Sequence, residues 1–291
     1  MSSSAPTTPG ASKPDQVEYV FEPHAVKLPP LRPYLHELWE RRRFVKTLAR
    51  TEIQGKRSSM AAGQLWAVLD PLFQATIYFF LIQILRGGQG GRGSAYQMTL
   101  LISGIFLFTF TRISLNDGAR SVIGGRGLLL NSSFPRALLP ISAVYKGLLE
   151  LAPAGAVYLV IHIAFGRPIG SGVAFLPTLL VLQTALNLGL ALLFAALTVY
   201  MRDVTQLLGY LLRVLFFITP VLYPVSVLPS GVRTAMTFNP LFPVFAAYQE
   251  VVAGGVPTTG QLVGSLFWAV LFLVIGGGLF ISHERAFALH V

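Results

Sequence analysis

Residues 173–200 read VAFLPTLLVLQTALNLGLALLFAALTVY, a stretch without a charged side chain. A helix needs roughly 20 apolar residues to cross a hydrocarbon layer about 30 Å thick, because each residue rises about 1.5 Å. Five other segments have comparable length and apolar content. The predicted spans are residues 64–85, 97–115, 138–165, 173–200, 206–224 and 261–281. The sequence therefore predicts an all-α polytopic membrane protein with six transmembrane helices.

The composition of the chain supports a membrane protein and excludes several other classes. Of its 291 residues, 53% are hydrophobic and only 12% are charged, which is too little polar surface for a soluble globule of this size. Cysteine is absent, which excludes disulfides, thiol catalysis and thiolate metal sites. The net charge of +10 is concentrated before the first span and around the loop between spans two and three. That distribution favours anionic lipid headgroups and indicates no nucleic-acid partner.

The distribution of Lys and Arg also predicts the orientation of the chain. Most of the 22 basic residues lie before the first span or in and beside the second connection, whereas the alternate connections are poor in them. Because basic segments stay on the cytoplasmic side, both termini are expected in the cytoplasm. An even number of spans agrees with this. The predicted location is the cytoplasmic membrane, crossed several times.

The N-terminal part divides into two predicted segments. Residues 1–33 are rich in Ser, Pro and Thr and predict a disordered cytoplasmic tail without a cleaved signal peptide. Residues 34–57 predict an amphipathic helix in the membrane interface, ahead of a six-helix domain at 58–291. The apolar positions of this helix are Leu35, Leu38, Trp39, Phe44, Val45, Leu48 and Ile53. The pattern alone is typical of an anchor on the lipid surface.

The connection between the fifth and sixth spans has an unusual pattern. Residues 225–260 are semi-apolar and contain several prolines, and the apolar pieces at 231–238 and 241–253 are too short to cross a membrane. Asn239 and Pro240 lie between the two pieces. They predict short re-entrant or interfacial helices, with a loop lying on the headgroups as the alternative.

Charged side chains inside apolar segments are costly and are usually paired or functional. Lys146 and Glu150 lie four residues apart and so share a helix face in the third span. They are either a mutually neutralised pair or a functional polar patch. Arg213 in the fifth span requires water, an internal partner or an anionic ligand. Phe106, Phe110 and Phe217 can pack in the bundle or against a ligand.

Catalytic and nucleotide-binding patterns are missing from the full sequence. No segment matches Gly-x-x-x-x-Gly-Lys-Ser/Thr, so the chain has no phosphate-binding loop of that type. The acidic residues are scattered singly, and His162 has no nucleophile at a readable spacing. We therefore expect no catalytic residue, no metal site and no bound cofactor.

Several short motifs occur in a fixed order along the apolar segments. They are residues 63–71 (GQLWAVLDP), 134–136 (FPR), 139–142 (LPIS), 202–204 (RDV), 219–224 (TPVLYP) and 239–240 (NP). In this combination the chain resembles the permease subunits of ABC polysaccharide exporters, which move O-antigen, teichoic acid or cell-wall galactan. One departure is the sequence SSMAA that follows Lys56 and Arg57, where the family usually has a more basic run.

The resemblance implies a homodimer of half-transporters, driven by two copies of a separate ATPase subunit that binds ATP and Mg²⁺. Its substrate would be a lipid-linked polysaccharide, with cell-wall galactan as a candidate, and its location would be the bacterial cytoplasmic membrane. It implies a coupling helix within residues 116–136, ATPase docking by the interface helix, and gate helices around residues 239–240. The coupling candidates are Asp117, Arg120, Arg126, Arg136, Glu37 and Arg41; the substrate-path candidates are Lys146, Glu150, Arg213, Phe106, Phe110 and Phe217; the gate candidates are Asn239 and Pro240.

Two other functions remain open from the sequence. One is a membrane-embedded enzyme of lipid-linked sugar assembly, for which clustered acidic residues would be expected. The other is a small-molecule or lipid exporter permease of the same ABC superfamily.

Overall fold

The computed structural model of the protein describes residues 31–58, 65–85, 92–125 and 135–287. These ranges are helical throughout apart from turns and connections, which confirms the all-α prediction. The α-helices are α1 Leu31–Glu40, α2 Arg42–Ser58, α3 Trp66–Leu85, α4 Arg92–Gly124, α5 Leu138–Ala164, α6 Leu176–Tyr200, α7 Val204–Ile218, α8 Ser230–Met236, α9 Phe242–Val252 and α10 Thr259–His283. Residues 1–30 of the predicted tail lie outside the described residues.

Four helices in the described ranges are long and apolar enough to cross a membrane, judged by length and composition. They are Tyr96–Gly124, Leu138–Ala164, Ser171–Tyr200 and Thr259–His283. The apolar helices Val68–Ile84 and Val204–Ile218 are shorter. The described helices are therefore consistent with a membrane protein, while the count of six spans stays a prediction.

Two helices have ends that differ from the predicted spans. Helix α7 ends at Ile218, six residues before the predicted limit, because Pro220 has no N–H and disfavours helical backbone at Thr219, where ψ is 143°. Helix α4 runs on to Gly124, beyond the predicted limit at residue 115. The polar stretch expected to begin a cytoplasmic loop therefore begins as the last turns of a long helix.

The amphipathic N-terminal segment forms two helices, α1 and α2, which meet at Arg41. Val45, Ala49 and Ile53 recur every four residues, and all three are buried where α2 packs along α5. The predicted apolar face therefore contacts protein. Trp39 on α1 is 68% exposed and remains available to a lipid surface.

The core is formed mainly by α4, α6, α7 and α9. Phe108 of α4 contacts the rings of Phe216 and Phe245, with centroid distances of 5.1 and 6.3 Å. Gln183 of α6 is fully buried and donates hydrogen bonds to the Leu107 carbonyl and to Oγ1 of Thr111, at 3.0 and 3.1 Å. Polar bonds between helices of this kind hold apolar bundles together.

The bundle has two distinguishable ends. At the chain-terminal end, α1 reaches the residues just after α10, and the rings of Tyr200 and His283 lie 5.8 Å apart. At the opposite end, here called the loop end, α5 and α6 are joined and the short helices α8 and α9 precede α10. Thr258 begins α10 with a capping box, since its hydroxyl accepts from the Gln261 N–H and the Gln261 side chain accepts from the Thr258 N–H.

Candidate functional site

Lys146 links three helices near the chain-terminal end. Its side chain on α5 is 3% exposed, and its Nζ lies 2.6 Å from Oδ2 of Asp117 on α4 and 3.5 Å from Oε2 of Glu52 on α2. A buried ammonium group is tolerated when it is paired and hydrogen-bonded. This ion-pair cluster, Lys146–Asp117–Glu52, therefore fixes the position of the interface helix relative to two membrane helices.

The sequence hypothesis paired Lys146 with Glu150, one turn further along α5. The carboxylates that salt-bridge Lys146 come from α4 and α2. Glu150 lines a separate small cavity, whereas Lys146 lines a cleft of about 300 Å³ with Arg120 and Ser142. The two charged residues therefore line different cavities.

A second polar cluster, Tyr34–Glu284–Arg136, joins the chain ends to the start of α5. The Tyr34 hydroxyl donates to Oε2 of Glu284 at 2.6 Å, and the backbone N–H of Arg136 donates to Oε1. The Arg136 guanidinium also donates to the Glu284 carbonyl oxygen. Burial raises the pKa of the Glu284 carboxyl, and the hydrogen bonds from Tyr34 and Arg136 act against that rise. The sequence singled out Arg136 but gave no sign of Glu284 or Tyr34.

The predicted coupling residues therefore lie in different environments of the chain-terminal end. Asp117 and Arg120 belong to the last turns of α4, and Arg136 belongs to the Tyr34–Glu284–Arg136 cluster. Glu37 and Arg41 form an exposed ion pair of 2.9 Å where α1 meets α2. The remaining coupling candidate, Arg126, lies outside the described residues.

A polar cavity of about 330 Å³ lies between α3, α4 and α7. Its wall carries two cationic side chains, Arg112 and Arg213, and the described residues that line it include no carboxylate. The other lining residues are Gln74, Tyr78, Phe108, Thr109, Asn116, Gly209, Leu212, Phe216 and Phe217. Arg213 stacks over the ring of Tyr210 at 5.5 Å. We call this space the two-arginine cavity.

A smaller cavity of about 100 Å³ lies on the other side of Arg112, between α3, α4 and α5. It contains two acidic residues, Asp70 and Glu150, and the predicted path residues Phe106 and Phe110 line it. Both phenylalanines are almost fully buried, which agrees with a packing role for much of each ring. Arg112 thus lies between an acidic cavity and a cationic one. In the sequence it counted only among the basic residues in and beside the second connection.

The motif at residues 219–224 forms the turn that follows α7, and Gln249 of α9 holds it. The Gln249 side-chain amide donates to the carbonyls of Pro220 and Tyr223 at 2.6 and 2.9 Å, and its Oε1 accepts from the Val225 N–H at 2.8 Å. One buried side chain therefore satisfies three backbone groups of a turn that makes few bonds of its own.

Asn239 makes a second connection to the same turn. Its side-chain amide donates to Oγ1 of Thr219 at 2.9 Å, and its Oδ1 accepts from the Leu241 N–H at 3.0 Å. Asn239 and Pro240 lie between α8 and α9, the two short helices that occupy the predicted apolar pieces. The candidate gate residue Asn239 is therefore bonded directly to Thr219 at the end of α7.

Gln249→Leu should loosen the loop end of the protein. The substitution keeps the side-chain volume roughly constant but leaves three backbone groups without a partner, and each unsatisfied buried group costs about 1–3 kcal/mol. We expect a clear fall in the thermal melting temperature of the detergent-solubilised protein. Gln206→Leu is the matched control because Gln206 is exposed at the start of α7. Equal melting temperatures for the two variants would contradict the role of Gln249.

Comparison with known proteins gives a consistent result. Residues 43–253 match the family model for ABC-2 type transporters. The chain is 26% identical over 257 residues to the O-antigen export system permease protein RfbA of Myxococcus xanthus, covering 87% of this chain and 97% of that protein. It is 23% identical to a Klebsiella pneumoniae protein of the same name, covering 81% and 90%. It is 25% identical to the polysialic acid transport protein KpsM of Escherichia coli, covering 83% and 94%.

Proposed function

The chain belongs to the ABC-2 type transporter family, and from this premise we propose that it is the permease subunit of an ATP-driven polysaccharide exporter. Its relatives are named for O-antigen export and polysialic acid transport. The observation that carries the proposal is the two-arginine cavity, because a cationic and aromatic recess among apolar helices suits an anionic lipid linkage attached to sugars.

In this proposal Arg112 and Arg213 bind the phosphate of a lipid-linked polysaccharide, because guanidinium groups pair with phosphate through several hydrogen bonds. In the described part of the chain neither arginine forms a salt bridge, so both can accept an anionic ligand. Tyr78 and Phe216 supply ring faces for the adjacent sugars. A cell-wall galactan is one possible polymer.

ATP hydrolysis is assigned to a separate subunit, since the sequence lacks a phosphate-binding loop. Two copies of the chain and two ATPase subunits make the simplest symmetric assembly. Helix α7 carries exposed apolar side chains, such as Leu207, Val214 and Phe217, and would provide a surface for the second copy beside the two-arginine cavity, which Phe217 lines. The conduit would then form between the two protomers.

The excess of basic residues at the chain-terminal end supports a cytoplasmic location for that end. The ATPase would contact α1, α2 and the end of α4 there, and the Lys146–Asp117–Glu52 cluster would transmit its movement to α4 and α5. At the loop end, α8 and α9 would act as the gate. Because Gln249 and Asn239 bond to the turn after α7, movement of α7 would move these two helices.

The proposal is tested by reconstituting the chain with its ATPase in vesicles and measuring ATP hydrolysis stimulated by lipid-linked polysaccharide. Arg112→Gln and Arg213→Gln should each raise the half-maximal substrate concentration about tenfold, since each removes a charge-assisted hydrogen bond. Arg202→Gln, an exposed arginine between α6 and α7, is the control and should leave that concentration unchanged. Hydrolysis that responds to no lipid-linked polysaccharide would contradict the proposal.

A further inference from the structure

A large groove opens at the loop end between α8, α9 and α10. Its volume is about 870 Å³. Large apolar side chains line it, namely Phe242, Phe267, Trp268 and Leu271. Polar side chains stand around it, namely Arg233, Thr237, Glu250, Thr258 and Gln261. We call it the loop-end groove; it is separate from the two-arginine cavity and shares no lining residue with it.

The polarity of the groove changes along α10. The lining residues of this helix begin with Gln261 in its first turn and continue to Leu271, a distance of about 15 Å along the axis. Helix α10 is one of the four helices able to cross a membrane. In a membrane crossed by α10, the groove would run from the polar surface toward the apolar interior, which is the direction of a lipid molecule.

Two opposite charges face this groove without neutralising each other. Within the described ranges the Glu250 carboxylate is exposed and makes no hydrogen bond or ion pair. Arg233 uses one guanidinium nitrogen, Nη2, for the carbonyls of Val225 and Leu228, at 3.1 and 3.5 Å. Its other N–H groups are left for a ligand. Arg167 of the α5–α6 connection stacks 4.7 Å from the ring of Tyr96 and forms no ion pair with Glu250.

From this arrangement we propose that the loop-end groove binds one phospholipid with a zwitterionic, primary-amine headgroup, as in phosphatidylethanolamine. The lipid phosphate pairs with Arg233, the ammonium group donates hydrogen bonds to Glu250, and one acyl chain lies against Phe267 and Trp268. An anionic headgroup would leave Glu250 unpaired. A quaternary amine has no N–H to donate. This lipid site is separate from the transport of polysaccharide, and the proposal does not depend on which polymer the protein carries.

The bound lipid would contact the joint between the two short helices. Trp268 on the groove floor donates from Nε1 to the Thr237 carbonyl at 3.1 Å, just after α8 ends. Phe242 at the start of α9 forms another part of the same floor. A lipid in the groove therefore packs against α8, α9 and α10 together and holds the two short helices against the membrane helix.

Fluorescence of Trp268 provides a direct test, since the chain contains three tryptophans in all. Trp39→Phe and Trp66→Phe leave Trp268 as the only one, and the protein is reconstituted in phosphatidylcholine vesicles. Each lipid with brominated acyl chains is added to a separate sample at the same small fraction. Such a lipid quenches the fluorescence of a tryptophan that it contacts. Brominated phosphatidylethanolamine should quench about fivefold more effectively than brominated phosphatidylcholine or phosphatidylglycerol, the ratio that one charge-assisted hydrogen bond supports.

Variants of the two residues proposed to bind the headgroup distinguish a specific lipid site from general contact with lipid. Glu250→Gln should abolish the preference for the primary amine, and Arg233→Gln should weaken quenching by phosphatidylethanolamine and phosphatidylglycerol alike. Asp203→Asn and Arg202→Gln change matched exposed charges between α6 and α7, at the other end of the bundle, and should retain the preference. Equal quenching by all three lipids would overturn the proposal, as would stronger quenching by phosphatidylglycerol. If no lipid quenches the fluorescence of Trp268, protein covers the groove, and this result would also overturn the proposal.

Discussion

Adding one methyl group at Gly276 is expected to lower the free energy of unfolding by about 3 kcal/mol, through overpacking at a rigid contact. A Cβ at this position would lie closer than 3.0 Å to the carbonyl oxygen of Gly189, a separation that real Cβ atoms essentially never show. The colliding atom belongs to the backbone of α6 and cannot move aside by a rotamer change. Gly276→Ala therefore has to push α10 away from α6.

The contact between α6 and α10 explains why the cost is large. A Cβ at Gly189 would in turn collide with the backbone at Phe272 and Leu273, so both helices present glycine at their closest approach. Inside a membrane the helices gain little from the hydrophobic effect and depend on close van der Waals packing between small residues. Separation of the two backbones removes that packing along the whole contact.

Gly278→Ala is the matched control because the same methyl group, two residues away on α10, would have no neighbour within 4 Å. Alanine is the better helix former, so the control should be neutral or up to about 1 kcal/mol more stable. The two variants are compared by their thermal melting in detergent, followed by size-exclusion chromatography of the surviving fraction. Melting of Gly276→Ala at the temperature of the control would refute the close approach of α6 and α10.

The long apolar helices could be predicted from the sequence because hydrophobic content over 20 or more residues is a strong signal. The third and sixth predicted spans match α5 and α10 closely. The end of α4 was missed because its residues after 115 are polar. Leu115, Ala119 and Val122 are nevertheless buried at helical spacing, and this period was readable in the sequence. Burial of one face by tertiary packing extends the helix past its apolar segment.

From the sequence, candidate site residues could be recognised as charged residues in apolar segments, but their partners in the fold could not be predicted. Lys146 stood out as a charge in an apolar segment, but its partners are Asp117 and Glu52, far away in the chain. A sequence pattern identifies neighbours four residues apart and says nothing of which helix lies alongside. Gln249 and Arg112 were missed for the same reason, because their importance comes from the turn and the cavities that the fold places beside them.

Lys146→Met is expected to have the largest effect on transport. The substitution preserves the length of a side chain that is 3% exposed but removes the ammonium group from two carboxylates. Loss of this ion pair should cost about 1–3 kcal/mol, because the carboxylates left behind, Glu52 and Asp117, are 43% and 28% exposed and water partly screens their charge. Since the cluster joins α2 to α4 and α5, we expect export to fall at least about tenfold when this connection loosens.

Two further variants distinguish a coupling role from general destabilisation. Arg202→Met removes an exposed cation between α6 and α7, outside the proposed ATPase surface, and should leave both stability and export unchanged. The double variant Lys146→Met, Asp117→Asn also removes the charge of the partly exposed Asp117, so it should recover about 0.5–1 kcal/mol of stability relative to Lys146→Met. If the cluster transmits ATPase movement, the double variant should still hydrolyse more ATP per exported polysaccharide molecule than the unsubstituted protein. Restored stability together with an unchanged ratio of ATP to exported polysaccharide would mean that the cluster only holds the helices together.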